Sequence, residues 1–247
     1  TVITLAARTE NLVTDKRNEL SDDSNEANAA LFSNDDLIIN GTGSLMVTGN
    51  AAHGIASDDD LKIVSGAIAV NALRNGIQGR DSIVVKDSSL VIEAGSDGLQ
   101  SDNDEDADEG NIFIEGGSFE ITSGHDGIQS VNILAIRNGE FNITTGGGSG
   151  NVDRGITNQW GDWDRQESAG DSDISEKGLK TGVQLIIFSG DFQIDSADDT
   201  IHSNNVIQIH GGVFELASGD DGLQADSLLE INDGTLVLGK PVDLIER

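Results

Sequence analysis

The chain has 247 residues and a formal net charge of −30, from 44 acidic against 14 basic side chains. That balance excludes nucleic acid as a partner, because phosphate binding needs clustered Lys and Arg, and it argues against anionic membrane surfaces. With no cysteine, neither a disulfide framework nor a thiolate metal site can form, and no apolar run reaches membrane-spanning length.

Residues 1–28 open with one strand-like run, Val2-Ile3-Thr4-Leu5, and continue into an Asp/Asn/Glu-rich loop over 20–28. Ala30-Leu31-Phe32-Ser33 then stands 24 residues before Gly54-Ile55-Ala56-Ser57, and Asn34-Asp35-Asp36-Leu37 parallels Asp58-Asp59-Asp60-Leu61. These are early copies of a repeat. Its clearest phrase is polar, Gly, Ile or Leu, polar, small. It recurs at His53–Ser57, Asn75–Gly79, Asp97–Ser101, Asp126–Ser130, Lys177–Thr181, Asp199–Ser203 and Asp221–Ala225, with Thr200 in the glycine slot of the sixth copy. Gly54, Gly76 and Gly98 are 22 apart, as are Gly178, Thr200 and Gly222. The longer intervals, 29 from Gly98 to Gly127 and 51 from Gly127 to Gly178, mark insertions at about 102–110 and 149–175. A fixed period of this size is the signature of a solenoid.

Each copy carries three short period-two apolar alternations separated by Gly, Ser, Asn and Asp, as in Ile112-Phe113-Ile114, then Phe119 and Ile121, then Ile128. No window holds a helical apolar stripe. The expectation is therefore an all-β chain: one right-handed parallel β-helix domain over 1–247, with about 22 residues and three strands per coil. Ile55, Ile77, Leu99, Ile128, Leu179, Ile201 and Leu223 would stack as one buried ladder. Both ends read as cut within a coil.

Equivalent positions in successive coils lie one strand spacing apart, about 4.8 Å. Asp97 and Asp126 then share a slot in adjacent coils, as do Asp199 and Asp221. Two carboxylates at that distance repel by roughly 3–4 kcal/mol at an effective dielectric near 20, and a divalent cation between them reverses the sign. Calcium takes oxygen ligands at about half that spacing. The first insertion adds Asp102, Asp104, Asp106, Asp108 and Glu109 in eight residues, more carboxylates than a cation-free loop should hold. Calcium is the expected cofactor, against the alternative of a solvated acidic turn.

The residue after the apolar one must point outward, which lines up Gln78, Gln100, Gln129, Lys180, His202 and Gln224. Planar amides in register suit the hydroxyls of an extended sugar polymer, or equally a side-chain ladder that stabilises the sheet. Trp160 and Trp163 suit stacking on pyranose rings, or anchoring of the long insertion. The four histidines fall in different slots. Gly146-Gly147-Gly148 is followed by no phosphate-binding lysine.

No Ser/His/Asp order converges, and paired carboxylates are too plentiful to specify a glycosidase. An eliminase acting on acidic polysaccharides would need a Lys or Arg base, for which Lys62, Arg80, Lys177 and Lys180 are the candidates. Abundant carboxylates push a lysine pKa upward, away from that role. Binding therefore ranks above catalysis.

The phrases NAALFSNDDLIINGTG, DGLQSDNDEDADEG, FIEGGSFEITSGHDGIQS and FELASGDDGLQAD resemble the bacterial calcium-binding, carbohydrate-binding β-helix family related to family 9 polysaccharide lyases. The resemblance runs from about Asn28 to Leu238 and leaves out 149–175. It implies an extracellular or surface-attached, non-catalytic protein that binds cellulose or acidic sugars such as polygalacturonate. It also implies calcium at Asp97, Asp102, Asp104, Asp106 and Asp126. His53, Asn75, Lys177 and Thr200 depart from the pattern, so those repeats are expected to lack a cation. The alternatives are a pectate-lyase-like enzyme and a filament subunit stacking end to end through open strand edges.

Overall fold

A computed structural model describes residues 1–17, 27–151, 175–240 and 243–246. The described chain is all-β, with no cis peptide bond. Its strands join two large parallel sheets, one of 16 strands and one of nine. This corrects the expected right-handed β-helix with three strands, and so three sheets, per coil. The first and second strands of the repeats belong to one sheet. The reason lies in the strands Asp60–Ala72 and Ser82–Ala94, each 13 residues long. Their pairing continues past the expected corner, from Ile63 opposite Val85 to Ser65 opposite Asp87 and Gly66 opposite Ser88. A φ of +122° at Gly66 turns the chain there without interrupting the ladder. Elsewhere the corner does divide the strands, as between Asn111–Ile114 and Gly117–Ser123. Among the described residues of 1–28 there are two strands, Val2–Leu5 and Glu10–Thr14, where the sequence suggested one.

The 22-residue period survives as register. Ile55 pairs with Ile77, Ile77 with Leu99, Leu99 with Ile128, and so on to Leu223. All seven side chains of that ladder are fully buried. Leu31 pairs with Ile55, which makes 30–33 a copy of the repeat in space as well. Facing the ladder, the larger sheet contributes Phe119, Phe141, Phe192 and Phe214, whose rings stack at 4.6, 4.6 and 4.7 Å with planes within 9° of parallel. Offset stacking of this kind adds about 0.5–1.5 kcal/mol per pair beyond area burial.

Between the two sheets the fit is close. A Cβ on Gly98 would lie 2.5 Å from Ile121 Cγ2, so the glycine slot exists because the opposing isoleucine fills its space. The side chains that alternate with this core point outward and form the rows from which any site must be built.

Candidate metal and carbohydrate site

In the nine-stranded sheet the first residues of the repeated phrase are linked by bonds the sequence did not reveal. The Asp126 N–H donates to Asp97 Oδ1 (3.0 Å), the Lys177 N–H to Asp126 Oδ1 (2.8 Å), and the Asp221 N–H to Asp199 Oδ1 (3.0 Å). Asn75 plays the same part toward the N–H of Asp97 (3.2 Å). One oxygen of each carboxylate thus serves the backbone of the next repeat. Stacked aspartates have a structural use without a cation, and only their second oxygens remain to be explained.

Around Asp199 the second oxygen has internal cations. His202 Nδ1 lies 3.0 Å from Asp199 Oδ2 and Lys177 Nζ lies 3.4 Å from it, while Lys177 also pairs with Asp198. Burial would raise the Asp199 pKa, but the His202 hydrogen bond and the Lys177 charge hold it below the usual carboxylate range. Burial likewise opposes the charges on Lys177 and His202, yet their acidic partners raise both pKa values. Asp198, Asp199 and Asp220 bring carboxylate oxygens within 4.8 Å of one another, but Lys177 already contacts two of the three.

Around Asp97 the balance reverses. Among the described residues its second oxygen accepts from a neutral amide alone, Gln100 Nε2 (2.7 Å), and the residue is 5% exposed. Burial and the neighbouring Asp126 charge push its carboxyl up to about 7. Lys180 Nζ, the nearest ammonium, pairs instead with Asp126 Oδ2 at 3.1 Å.

Asp102 continues this cluster. Gln78 Nε2 donates to Asp102 Oδ2 (2.9 Å), and burial raises the Asp102 pKa. Asp102 Oδ1 and Gln78 Oε1 are buried oxygens without a hydrogen-bond donor. Each such atom costs about 1–3 kcal/mol unless something positive meets it. Asp102 Oδ1, Gln78 Oε1 and the Asp97 carboxylate are oxygens of the kind a hard cation takes as ligands.

The remaining loop acids behave differently. Asp104 is exposed, and Asp106 is exposed with its Oδ1 accepting from the Asp108 N–H (3.0 Å). Asn103, not an acid, organises the turn by accepting from the N–H groups of Glu105 and Asp106 and donating to Asp81 Oδ1 (2.6 Å). Asn103 and Asn75 carry no charge, so a search for carboxylates passes over them.

The outward row is in register from Gln78 through Gln100, Gln129, Lys180 and His202 to Gln224. Most of it is half-buried and turned inward. Gln100 donates to Gln129 Oε1 (3.2 Å), Asn75 donates to Gln100 Oε1 (2.6 Å), Lys180 holds Asp126, and His202 holds Asp199 and Asn204. Of the two roles open to this row, the side-chain ladder is the one these bonds describe. Trp160 and Trp163 lie outside the described residues. The larger sheet carries a shallow outer groove of about 550 Å³ over Ser89, Val91, Glu120, Asn142, Gln193 and Glu215, which period-two reading assigns outward without distinguishing it. Among the described residues no helix is long and apolar enough to cross a membrane.

A family model described as "Carbohydrate-binding domain-containing protein" matches residues 1–222. A curated protein of that description from Acetivibrio thermocellus is 40% identical over 72 residues, which is 28% of this chain and 25% of that protein. The solved polysaccharide lyase-like protein from C. thermocellum, a gadolinium derivative, aligns with a TM-score of 0.56 at 36% identity over 59% of this chain and 60% of that one. Both matches therefore span less than two thirds of the relative's own length.

Proposed function

Because the chain belongs to the family of carbohydrate-binding domain-containing proteins, we propose that it is a calcium-dependent, non-catalytic polysaccharide-binding protein that works outside the cell on cellulose or on acidic sugars such as polygalacturonate. The observation that carries the calcium dependence is the pair of donorless buried oxygens, Asp102 Oδ1 and Gln78 Oε1, beside a carboxyl held near 7. Asp97, Asp102 and Gln78 would hold the ion. Bound calcium supplies the positive charge these oxygens lack and an electrophile for sugar hydroxyls or carboxylates. Millimolar calcium outside cells would keep even a weak site filled.

A non-catalytic role is favoured by the state of three of the four candidate bases. Lys177 is pushed up, not down, by Asp198 and Asp199, against the opposing effect of its burial. Lys180 is tied to Asp126 and Arg80 to Glu105. A proton-abstracting lysine needs the opposite environment.

Capture on insoluble cellulose and on immobilised polygalacturonate, with calcium or with chelator, tests the reading. Retention in calcium and release in chelator is the expected result, without ultraviolet-absorbing unsaturated ends from polygalacturonate. Retention unchanged by chelator would remove the calcium dependence, and unsaturated product would make the protein a lyase.

A further inference from the structure

The outer face of the larger sheet carries two recesses, away from the acidic slots of the nine-stranded sheet. One, of about 550 Å³, runs over Asn142 and Gln193, and the other, of about 440 Å³, lies at the corner beside Gly117 and Gly139. Ser89, Ser118, Glu140 and Asp191 line both, so the two form one continuous cleft. Strand register sets its side chains on successive rungs. Ser118, Glu140 and Asp191 make one row, and Glu120, Asn142, Gln193 and Glu215 make the next. At about 4.8 Å per strand, the longer row is the span of a short oligosaccharide.

The polar groups of this cleft are unused by the protein. Elsewhere, amides brought into register bond to their neighbours: Gln184 donates to Gln208 Oε1 (2.8 Å), Gln208 to Glu230 (2.9 Å) and Gln100 to Gln129 (3.2 Å). Asn142 and Gln193 stand in the same kind of register, yet among the described residues neither amide has a hydrogen-bond partner. The exposed carboxylates of Glu120, Glu140, Asp191 and Glu215 have none either. The lining of the corner recess also includes Ser88, whose buried Oγ is without a partner. A row that served only to hold the sheet together would be bonded along its length, as the row from Gln184 is.

Charge then selects the ligand. Asp87, Glu120, Glu140, Asp191 and Glu215 line the cleft, and no lysine or arginine does. A uronate polymer would bring more negative charge to these acids and be repelled. A neutral glycan brings hydroxyl donors, which carboxylates accept in charge-assisted bonds, while the two amides can both donate and accept. Val91 and Val213, the exposed apolar residues of the lining, can meet the C–H edges of a sugar. We infer that this cleft binds a neutral, hydroxyl-rich polysaccharide lying across the strands, with Asn142 and Gln193 as its central contacts and Glu140 and Asp191 accepting from its hydroxyls. The inference rests on the carbohydrate-binding reading and narrows it, at this cleft, to neutral sugars. It does not rest on calcium, since the cleft and Asp97 belong to different sheets.

The test uses the full chain in saturating calcium, with cello-oligosaccharide and xylo-oligosaccharide as neutral probes and oligogalacturonate as the acidic one. Asn142→Ala/Gln193→Ala should weaken binding of a neutral probe by about five- to 150-fold, the range for loss of two hydrogen bonds. Its melting temperature should match the wild type, because these side chains hold nothing in the protein, and any affinity for oligogalacturonate should be unchanged. Where insoluble cellulose alone is held, retention of the double variant gives the same readout. A double variant that binds neutral glycan as tightly as the wild type would overturn the cleft. A wild type that binds oligogalacturonate alone, or an oligogalacturonate affinity lost in the double variant, would overturn the neutral class. Failure of the wild type to bind any probe or any insoluble polysaccharide would instead overturn the reading on which the inference rests.

Discussion

Asp97 and Asp199 occupy the same slot of the same sheet, three strands apart in its order, and their carboxyls are displaced in opposite directions. Both are almost fully buried and both accept a peptide N–H from the next repeat. The difference is what meets the second oxygen: an amide of Gln100 in one case, an imidazole of His202 with the ammonium of Lys177 in the other. Lys177 itself stands where four other copies of the phrase have Asp, so one substitution in the repeat gives that region a built-in cation. The lesson is that an acidic repeat is not a string of equal metal sites. A position needs an external ion only where the chain has failed to provide an internal one.

The largest expected effect comes from breaking the self-neutralised end. Lys177→Ala leaves Asp198 and Asp199 without their ammonium, and removing one partner of a buried ion pair costs about 3–5 kcal/mol. The melting temperature should fall by about 6–20 °C, given about 2–4 °C per kcal/mol for a chain of this size. Added calcium should recover part of that loss, because carboxylate oxygens of Asp198, Asp199 and Asp220 lie within 4.8 Å of one another and Lys177 would no longer meet two of the three residues. No loss on substitution would show that Lys177 does not neutralise this group.

Next in size is Asp97→Asn. In chelator at pH 8 the amide removes an unneutralised buried charge while keeping an acceptor for the Asp126 N–H, and should stabilise the protein by about 2 kcal/mol. In calcium it should be the less stable protein, because its metal gain is gone. Asp126→Ala should cost about 2 kcal/mol in either condition, since its oxygens bond the Lys177 N–H, Ser175 and Lys180. A calcium-selective loss there would place Asp126 among the ligands after all.

The smallest effect is the pH profile in chelator. Asp97 has a folded pKa raised from 3.8 to about 7. Its burden is absent below 3.8, grows as pH rises toward 7 and is complete above it, so this group makes the metal-free protein more stable on mild acidification. Asp199 has a lowered folded pKa, so its contribution is present above 3.8 and lost as pH falls through the folded value. His202 is raised, so its contribution is full below 6.5 and lost as pH rises through its folded value. Thermal melts of wild type and Asp97→Asn should diverge between about pH 4 and 7, and parallel curves would remove Asp97 as the source.

Much of the architecture was legible because a period of 22 fixes which residues become neighbours, and the ladder from Ile55 to Leu223 followed from that alone. The two-sheet arrangement was not legible, because a Ser65-Gly66 corner looks the same in sequence whether or not the backbone ladder passes through it. Asp97, Asp126, Asp199 and Asp221 were found by their spacing. Their inequality was hidden, since it depends on where the ends of Lys177, Lys180 and His202 reach, and long side chains are not constrained by period.

Calorimetric titration of calcium into stripped protein tests the central claim most directly, comparing wild type with Asp97→Asn, Asp102→Asn and Asp220→Asn. The account predicts a calcium site in the wild type that is lost or severely weakened by the first two substitutions and untouched by the third. A wild type that takes up no calcium, or a site abolished by Asp220→Asn and indifferent to Asp97→Asn, would contradict it.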